Sequence, residues 1–120
     1  MERDDFEKLI TKIMMSIPKK FRDQMRNIDI VVDYENMTSA YISKDNKLTL
    51  GLFQGTPNTR KPGHYSILPD KITIYKKSLD TISKTDEDLE KNLRIVILHE
   101  IGHYFGLSEK KLNELGCHLK

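Results

Sequence analysis

One cysteine, Cys117, is all that this chain of 120 residues contains, which excludes an internal disulfide framework. Long apolar runs are missing too. The most apolar stretch, Ile95 to Leu98, stops at His99 and Glu100, far short of the roughly eighteen consecutive apolar residues of a membrane span. There is no basic stripe. The formal net charge is +2, and the lysines fall in scattered pairs such as Lys19-Lys20, Lys76-Lys77 and Lys110-Lys111, a pattern that decorates a solvated face and does not trace a phosphate backbone. Neither nucleic acid nor a membrane is an expected partner. The opening Met1-Glu2-Arg3-Asp4-Asp5 has acids where a secretory leader carries basic and then apolar residues, so the expected compartment is the cytoplasm. Repeats and low-complexity tracts are absent. Hydrophobic residues at 38% and charged residues at 32% are what a packed domain needs and a disordered chain lacks, and the length predicts a single domain over residues 1–120.

Phe6, Leu9, Ile10, Ile13, Met14 and Ile17 recur every three or four residues, which predicts a core-facing helix ended by Pro18. Pro18 can open a second short turn at its first helical position, with Phe21 and Met25 four apart. "IDIVVDY" alternates Ile28, Ile30, Val32 and Tyr34 on one side, as a half-buried strand does. "KLTLGLFQG" predicts another strand, with Leu48, Leu50 and Leu52 on one face, and "KITIYKK" a third through Ile72 and Ile74. The Gly/Pro-rich "GTPNTRKPGHYSILPD" between these two is long enough to be either a functional loop or a floppy one. Thr85 then offers a helix N-cap, with Asp88 as a carboxylate version of the capping box, and a long helix is predicted to about Phe105.

Chemistry enters inside that helix. His99 and His103 are four residues apart and project from one face only about 40° out of register. Two imidazoles so placed suit a zinc site. Glu100, turned by about 100° from His99, points beside the metal, where a carboxylate can take a proton from coordinated water. The five-residue pattern HExxH is short enough to arise by chance, so its surroundings have to decide. Leu89, Leu93, Val96 and Ile97 anchor the helix in the core and hold the histidines in fixed positions. Gly102 and Gly106 each weaken a helix by about 1 kcal/mol and need another reason to be there: for Gly102 close packing, for Gly106 a left-handed helix end. Glu109 lies six residues after His103, about 120° off the ligand face if the helix continued, so the chain must turn before it. Ser108 can then cap a new helix with Leu112 and Leu115 inward, from which Glu109 swings back as a third metal ligand. Cys117 and His118 are its chemical rivals for that position.

With these residues in place, "HEIGHYFGLSE" resembles the HExxHxxGxx(H/D) pattern of the zincin metallopeptidases, with Glu109 at the last position. "GLFQGTP", "LPDKITIY" and "LRIVILHEIGHYFGLSEKKL" together resemble the small bacterial zincin-like metallopeptidase family, over roughly the stretch from Ile28 to Leu112. No methionine follows Met37, so the metzincin methionine turn is missing. The resemblance implies an α+β fold, a short β-sheet packed against an active-site helix and an N-terminal helix. It also implies zinc on His99, His103 and Glu109, and Glu100 as the catalytic base hydrolysing a peptide or protein substrate. His64, Tyr65 and Arg60 in the long loop are candidates to stabilise developing negative charge. The rival expectation is a metal-binding protein of the same fold that acts through a protein partner without catalysis; a closed four-ligand site including Cys117 or His118 would mark it.

Overall fold

The computed structural model describes residues 1–25, 28–35, 49–55, 70–108 and 110. In chain order come α1 (Arg3–Met15), α2 (Lys19–Asp23), β1 (Ile28–Asp33), β2 (Gly51–Gln54), β3 (Asp70–Tyr75), α3 (Lys76–Ile82) and α4 (Asp86–Tyr104). The architecture is α+β, as expected. Phe6, Ile10 and Ile13 are buried at the helical spacing that predicted α1. The helix stops at Met15, with Ser16 as its C-cap and the Ser16 hydroxyl donating to the Ile13 carbonyl at 2.6 Å; Pro18, which has no N–H, cannot carry the ladder further. Pro18 is the N-cap of α2, with a non-helical ψ of 139°, one position earlier than its predicted place.

The sheet has the order β1-β3-β2. β1 runs parallel to β3, with Ile30 opposite Ile72 and Val32 opposite Ile74. The predicted alternation holds: Ile28, Ile30 and Val32 pack on the core while Val31 is exposed. β2 runs antiparallel to β3, with Gly51 opposite Ile74 and Phe53 opposite Ile72. This corrects the predicted face. In β2 the residues that share a side with Ile72 and Ile74 are Gly51 and Phe53, whereas Leu52 lies across from Thr73, on the other side of the sheet. Leu50 precedes the strand and packs on the core, and Leu48 lies outside the described residues. Counting leucines set the phase one residue wrong, and a one-residue slip exchanges the faces of a strand.

Lys76 and Lys77, read above as the end of a strand, instead open α3, a helix that the periodicity did not predict. Its Lys76 ammonium meets both carboxylate oxygens of Asp80 at 2.8 Å, one turn on, and Leu79 is fully buried. Ser83, just past α3, accepts a hydrogen bond from the Asn92 side chain at 3.0 Å, tying the short helix to α4.

α4 begins as predicted. The Thr85 side chain accepts from the Asp88 N–H at 3.1 Å. The Asp88 carboxylate reaches back to the Lys84 N–H at 3.2 Å, one residue beyond the cap that a standard capping box would satisfy. Three acids, Asp86, Glu87 and Asp88, lie at the positive end of the helix dipole. Leu89, Leu93, Val96, Ile97 and Ile101 are buried in one core with Phe6, Ile10, Ile13, Ile72, Ile74 and Leu79. Each such side chain contributes about 1.5–3 kcal/mol when fully buried. At the rim, α1 is fastened to α4 by Lys12 with Glu90 at 3.1 Å and by Arg94 donating to Ser16 at 3.2 Å. The helix that carries the histidines is thereby packed from two sides.

Candidate functional site

His99, Glu100 and His103 lie in the last turns of α4. The two imidazoles are neighbours, with ring centroids 4.8 Å apart and planes at 78°. Both rings are half-buried, and Glu100 is buried at 8% exposed. The 3.6-residue period accounts for this: residues four apart stack on one side of the helix, while the residue after the first histidine turns towards the sheet.

Glu100 reaches that sheet at Gly51. An ideal Cβ built on Gly51 would come within 2.6 Å of Val96 Cγ1, 3.3 Å of Glu100 Cγ and 3.4 Å of the Thr73 carbonyl oxygen. Only a residue without a side chain lets α4 lie this close to β2. Two residues further along the strand, Phe53 meets Tyr104 edge to face at 5.9 Å. Tyr104 is buried and donates its hydroxyl proton to the Gln24 carbonyl at 2.8 Å. Phe105 continues the aromatic contacts, 5.2 Å from Tyr104 and 5.7 Å from Phe21 of α2. The histidine-bearing end of α4 is therefore held by β2 on one side and by α2 on another. Sequence reasoning missed both attachments. An out-of-phase glycine in a strand was the available signal, since it marks close approach of another element.

The helix ends as the glycine predicted. Gly106 has φ 81°, the Gly106 N–H donates to the His103 carbonyl and the Leu107 N–H to the Gly102 carbonyl, both at 2.9 Å. This pair of bonds is a Schellman closure. Gly102 is buried. Of the other predicted site residues, Glu109, Cys117 and His118 lie outside the described residues, and so do Leu112, Leu115, Arg60, His64 and Tyr65. Among the described residues no group of three or more His, Cys, Asp or Glu side chains could hold a metal ion. The donors that are described fit zinc in kind and spacing, since two neighbouring imidazoles can share one ion at the usual zinc–nitrogen distance of about 2 Å. A buried carboxylate beside them is the group that general-base chemistry requires. Among the described residues no helix is long and apolar enough to cross a membrane.

Comparison with known proteins agrees with the fold. A conserved hypothetical protein from T. thermophilus superposes with a TM-score of 0.63 over 88% of this chain and 94% of its own, at 21% sequence identity, a likeness that speaks for the fold alone. No curated protein matches. The family model described as zincin-like metallopeptidase matches residues 25–118, a span that takes in β1, β2, β3 and the whole of α4. The chain belongs to the zincin-like metallopeptidase family.

Proposed function

We propose that this protein is a zinc-dependent peptidase in which His99, His103 and Glu109 hold the metal and Glu100 is the general base. The observation that carries the reading is the pair of imidazoles at 4.8 Å with a buried carboxylate between them in sequence. Zinc bound there would supply a Lewis acid that acidifies water and polarises the scissile carbonyl. Glu100 would accept the proton of the attacking water at its carboxylate and return it to the leaving amine nitrogen. Burial on the sheet side favours this role, because a stem packed against main chain keeps the carboxylate from swinging into solvent. Glu109 would enter from beyond the Gly106 turn, which redirects the chain out of the helix just before it. Among the described residues β2 is at the edge of the sheet and packs directly on α4, so an extended peptide would lie along it and gain main-chain hydrogen bonds.

The test joins metal content to turnover. Elemental analysis of the purified protein should find stoichiometric zinc, lost in His99→Ala and reduced in Glu109→Ala but kept in Cys117→Ala. Glu100→Gln should keep its zinc and lose hydrolysis of a mixed peptide library by a factor on the order of 10² or more. Zinc that survives His99→Ala, or turnover undiminished in Glu100→Gln, defeats the reading. Zinc loss in Cys117→Ala, with no turnover by the wild type, would mark a closed, non-catalytic site instead.

A further inference from the structure

We infer that Gly51 is a positioning residue for the Glu100 base: the side chain it lacks leaves the space that Val96 Cγ1 fills and that the stem of the glutamate borders. The inference rests on the hydrolytic reading above and adds a residue from β2 to a site whose other proposed members belong to α4 and to the sequence that follows it.

The geometry is specific. A β-carbon at position 51 faces Val96 and Glu100, which are four apart and so form a single ridge of α4. Behind it is the Thr73 carbonyl of the central strand, which is main chain and cannot retreat. A methyl group placed there must be accommodated on the helix side. Two groups can give way. Val96 is a packing residue, buried in the core, and its displacement costs stability. Glu100 Cγ, at 3.3 Å, must yield by a few tenths of an ångström, and that displacement moves the carboxylate. Neither imidazole is among the three nearest neighbours of the glycine. The atoms that an added methyl meets first are those of Val96, Glu100 and the Thr73 carbonyl, so its expected mark is a fall in kcat with zinc affinity intact.

Four proteins separate this from simple packing: wild type, Gly51→Ala, Val96→Ala and the double variant. For each, one measures thermal midpoint, zinc affinity by titration with zinc chloride, and kcat and KM on a library peptide that the wild type hydrolyses. The Glu100 side-chain carboxyl ¹³C resonance is recorded in the zinc-free protein. Gly51→Ala should lower both the thermal midpoint and kcat. Removing Val96 Cγ1 clears the closer clash, so in the Val96→Ala background adding Gly51→Ala should leave the midpoint nearly unchanged. The kcat deficit should persist there at roughly tenfold, with KM and zinc affinity within about twofold and the Glu100 resonance shifted. If Gly51→Ala alone fails to fold, the double variant against Val96→Ala carries the same comparison. Recovery of kcat together with the midpoint in the double variant overturns the inference and leaves Gly51 as packing only, as does an unmoved Glu100 resonance. A wild type that binds zinc and cleaves nothing, or a Glu100→Gln variant as active as wild type, overturns the hydrolytic reading itself, a different failure with a different signature.

Discussion

β1 meets the core through Ile28, Ile30 and Val32, half-buried side chains packed against it, whereas β2 meets α4 at Gly51, where the helix comes up to bare main chain. The contrast extends to their surroundings. Between α1 and β1 an open groove of about 610 Å³ is lined by Glu7, Ile10, Met14, Ile30 and Val32 among others. On the β2 side the space for even one methyl group is already occupied by Val96 and Glu100. Elements spaced by side chains can relax into a groove when a side chain changes, while elements spaced by a missing side chain have no such freedom. The strand beside the candidate site is thus the one built to hold position, and the strand away from it is the one built to be tolerant.

The largest expected effect on this comparison is that of Phe53→Ala. Loss of the half-buried ring that braces Tyr104 should cost about 2–3 kcal/mol in urea denaturation. Because Tyr104 directly follows His103, it should also weaken zinc binding measured by competition with a chelator. Ile30→Ala in β1 should cost less, about 1–2 kcal/mol, since the residue is only half-buried and borders the groove. Its zinc affinity should stay at the wild-type value. Equal losses of zinc affinity in the two variants would erase the distinction between the strands. The smallest effect is alkaline and belongs to the β1 side. Burial, with the Glu7 carboxylate next, holds the Tyr34 phenol above its ordinary pKa of 10.0. A raised folded-state value means that the native protein keeps a proton which the unfolded chain gives up. The stabilisation is therefore complete below about pH 10 and is lost as pH rises through the folded pKa. Tyr34→Phe should flatten the fall in stability across that range, and an unchanged slope would remove Tyr34 from the account.

Side-chain periodicity carried the readings that succeeded. The apolar spacing of α1 and α4, the alternation of β1, the Thr85 cap and the left-handed Gly106 are each stated by residues close together in the chain, and so was the sharing of one helix face by His99 and His103. What escaped was encoded by weak or absent side chains. α3 is a seven-residue helix with Ser78, Thr81 and Ile82, poor helix formers whose stability comes from Leu79 in the core and the Lys76–Asp80 pair, both tertiary or local details that outweigh propensity. The face of β2 was misread because its contact residue is a glycine, which contributes nothing to a hydrophobic pattern. The partnership of Glu100 with Gly51 was illegible for a further reason: no local rule relates a strand residue to a helix residue so far along the chain.

The Gly106 closure has one more implication. Both of its bonds are main chain to main chain, so the direction in which the polypeptide leaves α4 is set by backbone geometry centred on one glycine torsion. On the proposed reading, a cation at the two rings would meet a corner fastened by the chain's own main-chain bonds, and the ordering entropy of that corner would belong to folding and not to capture.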